Sequence, residues 1–256
     1  MATNFPPGTP NWVDLGTTDV AGAGTFYGEL FGWTVEDLGP EAGGYGMARR
    51  GDKQVAGIGP AMDPQRGSSW SVYFATDNAD DTAAKVEAND GKVIVAPMDV
   101  MGQGRMAVFL DPTGAAFSVW QPGAHRGFET TEGAGTVAWA ELMTSDIATA
   151  KAFYEGALPV TTRDAPMGEG MTYTLVQVGD RPVAGAMQIG PEMGSMPSMW
   201  NVYFEVDDTD ATADKAVRLG ATEMMRQDSP AGRFAVLVDP QGAAFSIIHS
   251  NPDFSM

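Results

Sequence analysis

Four tryptophans and two carboxylates are spaced so that they could shape a site for an organic molecule. Trp12, Trp70, Trp139 and Trp200 each stand seven residues before an aspartate: Asp19, Asp77, Asp146 and Asp207. Asp14 and Glu141 follow Trp12 and Trp139 by two. On a strand, residues two apart share a face. Trp12 and Asp14 then share one with Gly16, and Trp139 and Glu141 share one with Met143. The same parity aligns Trp70, Val72 and Phe74, and Trp200, Val202 and Phe204. An indole offers a flat apolar face and a single N–H donor. Two such rings can clamp a planar aromatic ligand, or they can fill a core. A carboxylate beside indole in an apolar setting has its pKa raised by desolvation, which suits a general acid or base. It can equally hold a ligand hydroxyl or amine, or bond to neighbouring backbone.

Other chemistry is thinly supplied. There is no cysteine, so disulfides, zinc-thiolate sites and thiol nucleophiles are excluded. The only histidines, His125 and His249, fall in loop-like surroundings and are expected to face solvent. Ser118 and Ser246 therefore have no histidine to activate them. Arg105 and Arg233 open equivalent strands and could meet an anion, although a surface role is the expectation. Met187, Met193, Met196, Met199, Met224 and Met225 enrich the second half in adaptable thioethers, expected mostly to fill gaps.

The elements that must position these residues come from a repeat. Residues 12–31 (WVDLGTTDVAGAGTFYGELF) recur at 139–158 (WAELMTSDIATAKAFYEGAL). WSVYFATD at 70–77 recurs as WNVYFEVD at 200–207, and GRMAVFLDPTGAAFSV at 104–119 as GRFAVLVDPQGAAFSI at 232–247. The offsets are 127, 130 and 128. The halves are thus 1–122 and 135–256, with a glycine-rich linker at 123–134. The Trp-to-Asp spacing repeats inside each half, which makes four copies of one unit. In the first copy, Trp12–Thr17 reads as a strand and Ala21–Phe31 as a helix capped by Asp19. Three strands follow, Thr34–Leu38, Tyr45–Arg50 and Gln54–Gly59. The second copy reads as strand Trp70–Thr76, helix Ala79–Asn89 behind Asp77, then Lys92–Ala96, Arg105–Leu110 and Ala116–Trp120. Asp111-Pro112-Thr113-Gly114 turns between the last two strands, as Asp239-Pro240-Gln241-Gly242 does later. Strand, helix and three strands, four times over, is an α+β fold of four βαβββ units with mainly antiparallel sheets.

That unit, with its aromatic first strand, its V/T-x-D, its helical Phe-Tyr and its closing D-P-x-G-x-x-F hairpin, resembles the vicinal-oxygen-chelate superfamily. This group takes in glyoxalase I, extradiol dioxygenases and bleomycin-resistance proteins. The W-x-[DE]-L-x-T-x-D opening is similar to tandem members common in actinomycetes, some tied to antibiotic pathways. The resemblance implies two glyoxalase-like domains with cupped sheets, and a ligand in the cup. It also implies metal ligands from each unit's first strand (His or Gln) and last strand (Glu). Those positions hold Trp12, Trp70, Trp139 or Trp200, and Ser118 or Ser246. The shorter hairpins offer only Gln54 and Gln188. Divalent iron, zinc or nickel needs several imidazole or carboxylate ligands. The expectation is therefore no metal and no cofactor, with the ligand held by Trp12, Trp70, Phe74, Ser118, Trp139, Met143, Trp200, Phe204 and Ser246.

A formal net charge of -18 repels phosphate, so nucleic acid and anionic membranes are poor partners. No apolar stretch approaches the roughly 20 residues of a membrane span, and the first ten residues lack a secretory pattern. The sequence therefore points to a cytoplasmic monomer or homodimer whose partner is a small aromatic molecule. It leaves three functions open. One is sequestration or carriage of a largely apolar natural product, as in self-resistance. Another is a cofactor-independent isomerase or cyclase using Asp14 or Glu141 as acid or base. The third is a non-catalytic stress or interaction protein whose cups are collapsed.

Overall fold

The computed structural model describes residues 5–166 and 172–254. The first half runs β1 (Pro10–Thr17), α1 (Val20–Phe31), β2 (Thr34–Asp37), β3 (Gly46–Arg50) and β4 (Lys53–Pro60). It continues with β5 (Ser69–Ala75), α2 (Ala79–Ala88), β6 (Lys92–Asp99), β7 (Gly104–Leu110) and β8 (Ala116–Pro122). The second half repeats the order: β9 (Val137–Thr144), α3 (Ile147–Ala157), β10 (Thr161–Pro166), β11 (Thr172–Val178) and β12 (Arg181–Gln188). Then come β13 (Met199–Glu205), α4 (Thr209–Arg218), β14 (Thr222–Ser229), β15 (Gly232–Val238) and β16 (Ala244–Ser250). The strand orders are β2-β3-β4-β1-β5-β8-β7-β6 and β10-β11-β12-β9-β13-β16-β15-β14. Within each four-strand unit the first and last strands pair in parallel and the rest antiparallel. The α+β reading with four βαβββ units is thus what the chain adopts.

The helices are set by packing more than propensity. In α1, Ala23, Phe26, Tyr27 and Leu30 are buried at three- and four-residue spacing, although Gly22, Gly24 and Gly28 weaken the helix intrinsically. Asp19 caps α1 by accepting from the Gly22 amide at 2.9 Å, and Asp146 caps α3 by accepting from Thr149 at 3.1 Å. The other two caps differ from expectation by one residue. Asn78, not Asp77, accepts from Asp80 and Asp81, and Asp208, not Asp207, accepts from Ala211. In both copies a second polar residue follows the aspartate, and it is the one that reaches the helix amides.

By their contacts the residues group into two compact units that interleave the halves. One comprises Met1–Trp12, Val72–Gly127 and Trp139–Trp200. The other comprises Val13–Ser71, Phe128–Ala138 and Asn201–Met256. In the first unit α2 packs on α3, and Phe117 meets Phe153 and Tyr154 at ring distances of 5.7 and 5.4 Å. In the second α1 packs on α4, and Phe245 meets Phe26 and Tyr27 at 6.1 and 5.4 Å. Each core is therefore built by one βαβββ copy from each half.

Candidate functional site

The D-P-x-G turns do more than turn. Asp111 Oδ1 accepts from the amides of Thr113 (2.8 Å) and Ala115 (3.0 Å), while Gly114 takes φ 96°. Its second oxygen, Oδ2, accepts from the Tyr154 hydroxyl at 3.0 Å. Asp239 repeats this: Oδ1 accepts from Gln241 and Ala243, and Oδ2 from Tyr27 at 2.9 Å. Each tyrosine hydroxyl in turn accepts an indole N–H, Trp70 to Tyr27 at 3.0 Å and Trp200 to Tyr154 at 2.8 Å. These are buried Trp–Tyr–Asp relays, each inside one unit. Burial, and then the adjoining Asp239 or Asp111, push the Tyr27 and Tyr154 phenols well above their ordinary pKa, so both stay protonated donors. Burial also raises Asp239.

These relays decide where the expected ligand residues go. Trp70 and Trp200 lie in the cores, their only donor already used. Phe74 packs on Trp200 (5.0 Å) and Phe117 (6.2 Å), and Phe204 on Trp70 and Phe31 (both 5.1 Å). Trp70, Phe74, Trp200 and Phe204, expected to line a ligand site, are thus packed among the core aromatics on the helix-packed face, where the Phe-Tyr helices need bulky partners. Ser118 and Ser246 are buried on the opposite face: Ser118 pairs in register with Tyr73, one residue before Phe74, and Ser246 pairs with Tyr203, one residue before Phe204.

Trp139, Glu141 and Met143 are placed differently. Their neighbours Ala140, Leu142 and Thr144 are buried, and Leu142 lines a crevice beside α3 with Ala150 and Tyr154. The three therefore stand on the face away from α3. Glu141 pairs in register with Gly185, and Met143 with Met187. Tyr173 lies across Gly185 so closely that a Cβ there would collide with its hydroxyl. The Trp139 indole N–H donates to that hydroxyl at 2.8 Å. Trp139, Met143 and Met187 are half-buried, while Glu141 is only 7% exposed. The result is an aromatic and thioether face around one buried carboxylate and one phenol.

The second unit carries the counterpart. Asp14 pairs with Gly57 and Gly16 with Gly59. Tyr45 lies across both Gly57 and Gly59, where a Cβ would collide with its ring or hydroxyl. Tyr45 and Tyr173 escaped the sequence reading. Their signal was present: tyrosine and glycine both recur at an offset of 128, as Tyr45/Tyr173 and Gly57/Gly185. Trp12 belongs to the first unit, buried with its ring edge-on to His125 at 4.5 Å. His125 also meets Trp120 at 5.6 Å, so it is half-buried among aromatics and not solvent-facing as expected. His249 is exposed.

The cations are engaged on the surface. Arg105 binds Asp80 at 2.7 Å, and Arg233 binds Asp210 (2.9 Å) and Asp228 (3.1 Å). Asp80 and Asp210 lie in the first turns of α2 and α4, where acidic residues also favour the helix dipole. The donor set does not fit a resident metal. Tryptophan and serine occupy the positions in question, and Gln188 is spent on Ile147 and Ser145 backbone. Among the described residues no group of three or more His, Cys, Asp or Glu is placed to hold a metal ion. No helix among them is long and apolar enough to cross a membrane.

Fold and motifs together define a tandem glyoxalase-like protein: residues 9–119 match the glyoxalase/bleomycin resistance protein/dioxygenase superfamily model, and residues 139–248 a glyoxalase-like domain model. The chain belongs to this superfamily. It is 44% identical over 263 aligned positions to the anthracycline biosynthesis protein DnrV of Streptomyces peucetius, covering 96% of this chain and 94% of that one. It is 41% identical over 258 positions to CFP32 of Mycobacterium tuberculosis, covering 98% of each. Among solved structures, the Mn(II)-bound glyoxalase of Novosphingobium aromaticivorans aligns with TM-score 0.65 at 16% identity, covering 95% of this chain and 82% of that one. The 2,3-dioxygenase LapB of Pseudomonas sp. KL28 aligns with TM-score 0.63 at 11% identity, covering 99% and 97%. At such identities these two establish the shared fold alone.

Proposed function

We propose that the chain binds, without a metal, a small, planar, largely apolar aromatic natural product, in a sequestering or carrier role in secondary metabolism. The observation that carries this is the face of Trp139, Met143 and Met187 around Glu141, with Tyr173 laid across Gly185. Aromatic rings supply stacking surface, thioethers adapt to ligand shape, and the carboxylate orients a hydroxyl or amine. Asp14 and Tyr45 offer a smaller version in the other unit. Relatives named for anthracycline biosynthesis support a polycyclic aromatic ligand, and a cytoplasmic location suits that role. The test is titration of a polycyclic aromatic panel against the intact chain with intrinsic tryptophan fluorescence as readout. Saturable quenching is expected, and a flat response across the panel refutes the reading.

A second reading is favoured by the burial of Glu141 beside a phenol. A carboxylate there can take a proton from one substrate carbon and return it to another, as a cofactor-independent isomerase or cyclase does. Turnover that survives in both Asp14→Asn and Glu141→Gln rules this out.

A further inference from the structure

The second unit holds a buried polar group that the relays do not use. Asn201 on β13 is 8% exposed, and its Nδ2 donates to Ser246 Oγ on β16 at 2.8 Å. Its amide oxygen, Oδ1, has no hydrogen-bond partner. Strand parity sets the direction of this pair. Val202 and Phe204 are fully buried on the helix-packed face, so Asn201 and Tyr203 belong to the opposite one. Ser246 pairs in register with Tyr203, and Val236 with Ser246. Phe234 stands on this same face, its ring 6.0 Å from Tyr203 and half-buried. An acceptor with no donor is thus set beside an aromatic pair.

An orphaned buried amide oxygen is costly, and natural chains retain few without cause. The first half shows that the fold does not require it. The repeat WSVYF against WNVYF puts Ser71 where the second half has Asn201, with Ser118 matching Ser246. At this repeat position the larger, orphaned acceptor stands in the second half and a serine in the first.

We infer that Asn201, held in place by Ser246, is a specificity-determining residue that reads a hydroxyl or N–H donor on the ligand, and that the second half is the reading half. This rests on the binding function proposed above, in the smaller version that Asp14 and Tyr45 offer within the same unit as Asn201. Ser246 fixes the amide by taking its N–H, which leaves the buried Oδ1 as an acceptor only. A ligand hydroxyl that reaches it regains a hydrogen bond. An apolar group in the same place leaves the oxygen orphaned and is rejected.

Two probes of matched shape test this, 2-(hydroxymethyl)anthraquinone and 2-ethylanthraquinone, titrated against the intact chain by fluorescence. The quantity read is the ratio of their affinities in each variant. Asn201→Leu is expected to shift that ratio roughly tenfold toward the ethyl compound. Asn201→Asp keeps an acceptor and is expected to preserve the hydroxyl preference, which separates lost recognition from lost folding. Ser71→Ala, at the equivalent place in the first half, is expected to leave the ratio unchanged. If both probes bind and Asn201→Leu leaves the ratio at its original value, the assignment of Asn201 is overturned while the binding function stands. An equal shift with Ser71→Ala overturns the assignment to the second half. If neither probe binds the unmodified chain, both the function and this assignment fall.

Discussion

Tyr27 donates its hydroxyl proton to Asp239 at 2.9 Å, joining a helix of the first half to a turn of the second. Tyr154 and Asp111 make the reciprocal link at 3.0 Å. One carboxylate oxygen builds the turn and the other fastens the opposite half. Removing the phenol oxygen therefore strands two buried groups, the aspartate oxygen and an indole N–H. Tyr27→Phe and Tyr154→Phe are each expected to lower stability by about 1–3 kcal/mol. Urea denaturation followed by far-UV circular dichroism measures this, and a loss near zero contradicts the relay.

The raised pKa of Asp239 predicts a pH signature. A carboxyl whose folded pKa exceeds its unfolded value contributes stability that is fully present below the unfolded pKa. That contribution is lost as pH rises through the folded pKa. The window thus opens near the ordinary value of 3.8 and extends upward. Asp239→Asn lacks this titration. The stability difference between the parent chain and Asp239→Asn is expected to shrink as pH is raised from about 4. Denaturation midpoints across that range give the result, and a difference that grows with pH contradicts burial as the dominant cause.

Gly185→Ala places a methyl against the Tyr173 hydroxyl. The phenol must move and its bond to Trp139 must break. The substitution is expected to destabilise by about 1–3 kcal/mol and to shift Trp139 emission. Gly57→Ala does the same to Tyr45. Gly51→Ala serves as a contrast, since a Cβ there meets nothing within 4 Å and only the positive φ of 62° is strained. Unchanged emission in Gly185→Ala contradicts the placement of Tyr173.

The fold was legible because the repeat is. Three blocks at nearly constant offset define two halves, the Trp-to-Asp spacing divides each into two units, and alternation marks their strands. What parity cannot reveal is which of a strand's two faces meets the helices. Trp70 and Trp139 occupy matching motif positions, yet Trp70 serves a core relay and Trp139 a half-exposed face. The difference is one of register: Trp139 stands seven residues before Asp146, which caps its helix, and Trp70 eight before Asn78, which caps its own. The relay partners lie in opposite halves, 212 residues apart for Tyr27 and Asp239, and no local pattern encodes that pairing. His125 reads as a linker residue, but the chain brings it back against Trp12 and Trp120.

The donor set predicts indifference to metals. Adding Zn(II), Mn(II) or Fe(II), or removing traces with EDTA, is expected to leave the thermal midpoint and ligand affinity unchanged within error. A midpoint rising with metal concentration would point to a site built from other residues.

The most direct measurement is a fluorescence titration of the intact chain with a polycyclic aromatic polyketide in EDTA, beside Trp139→Leu. The expected result is saturable quenching in the parent chain and an affinity lowered at least tenfold in Trp139→Leu, with Trp70→Phe binding as the parent does. Quenching abolished by Trp70→Phe and untouched by Trp139→Leu, or absent throughout, contradicts a ligand face built on Trp139.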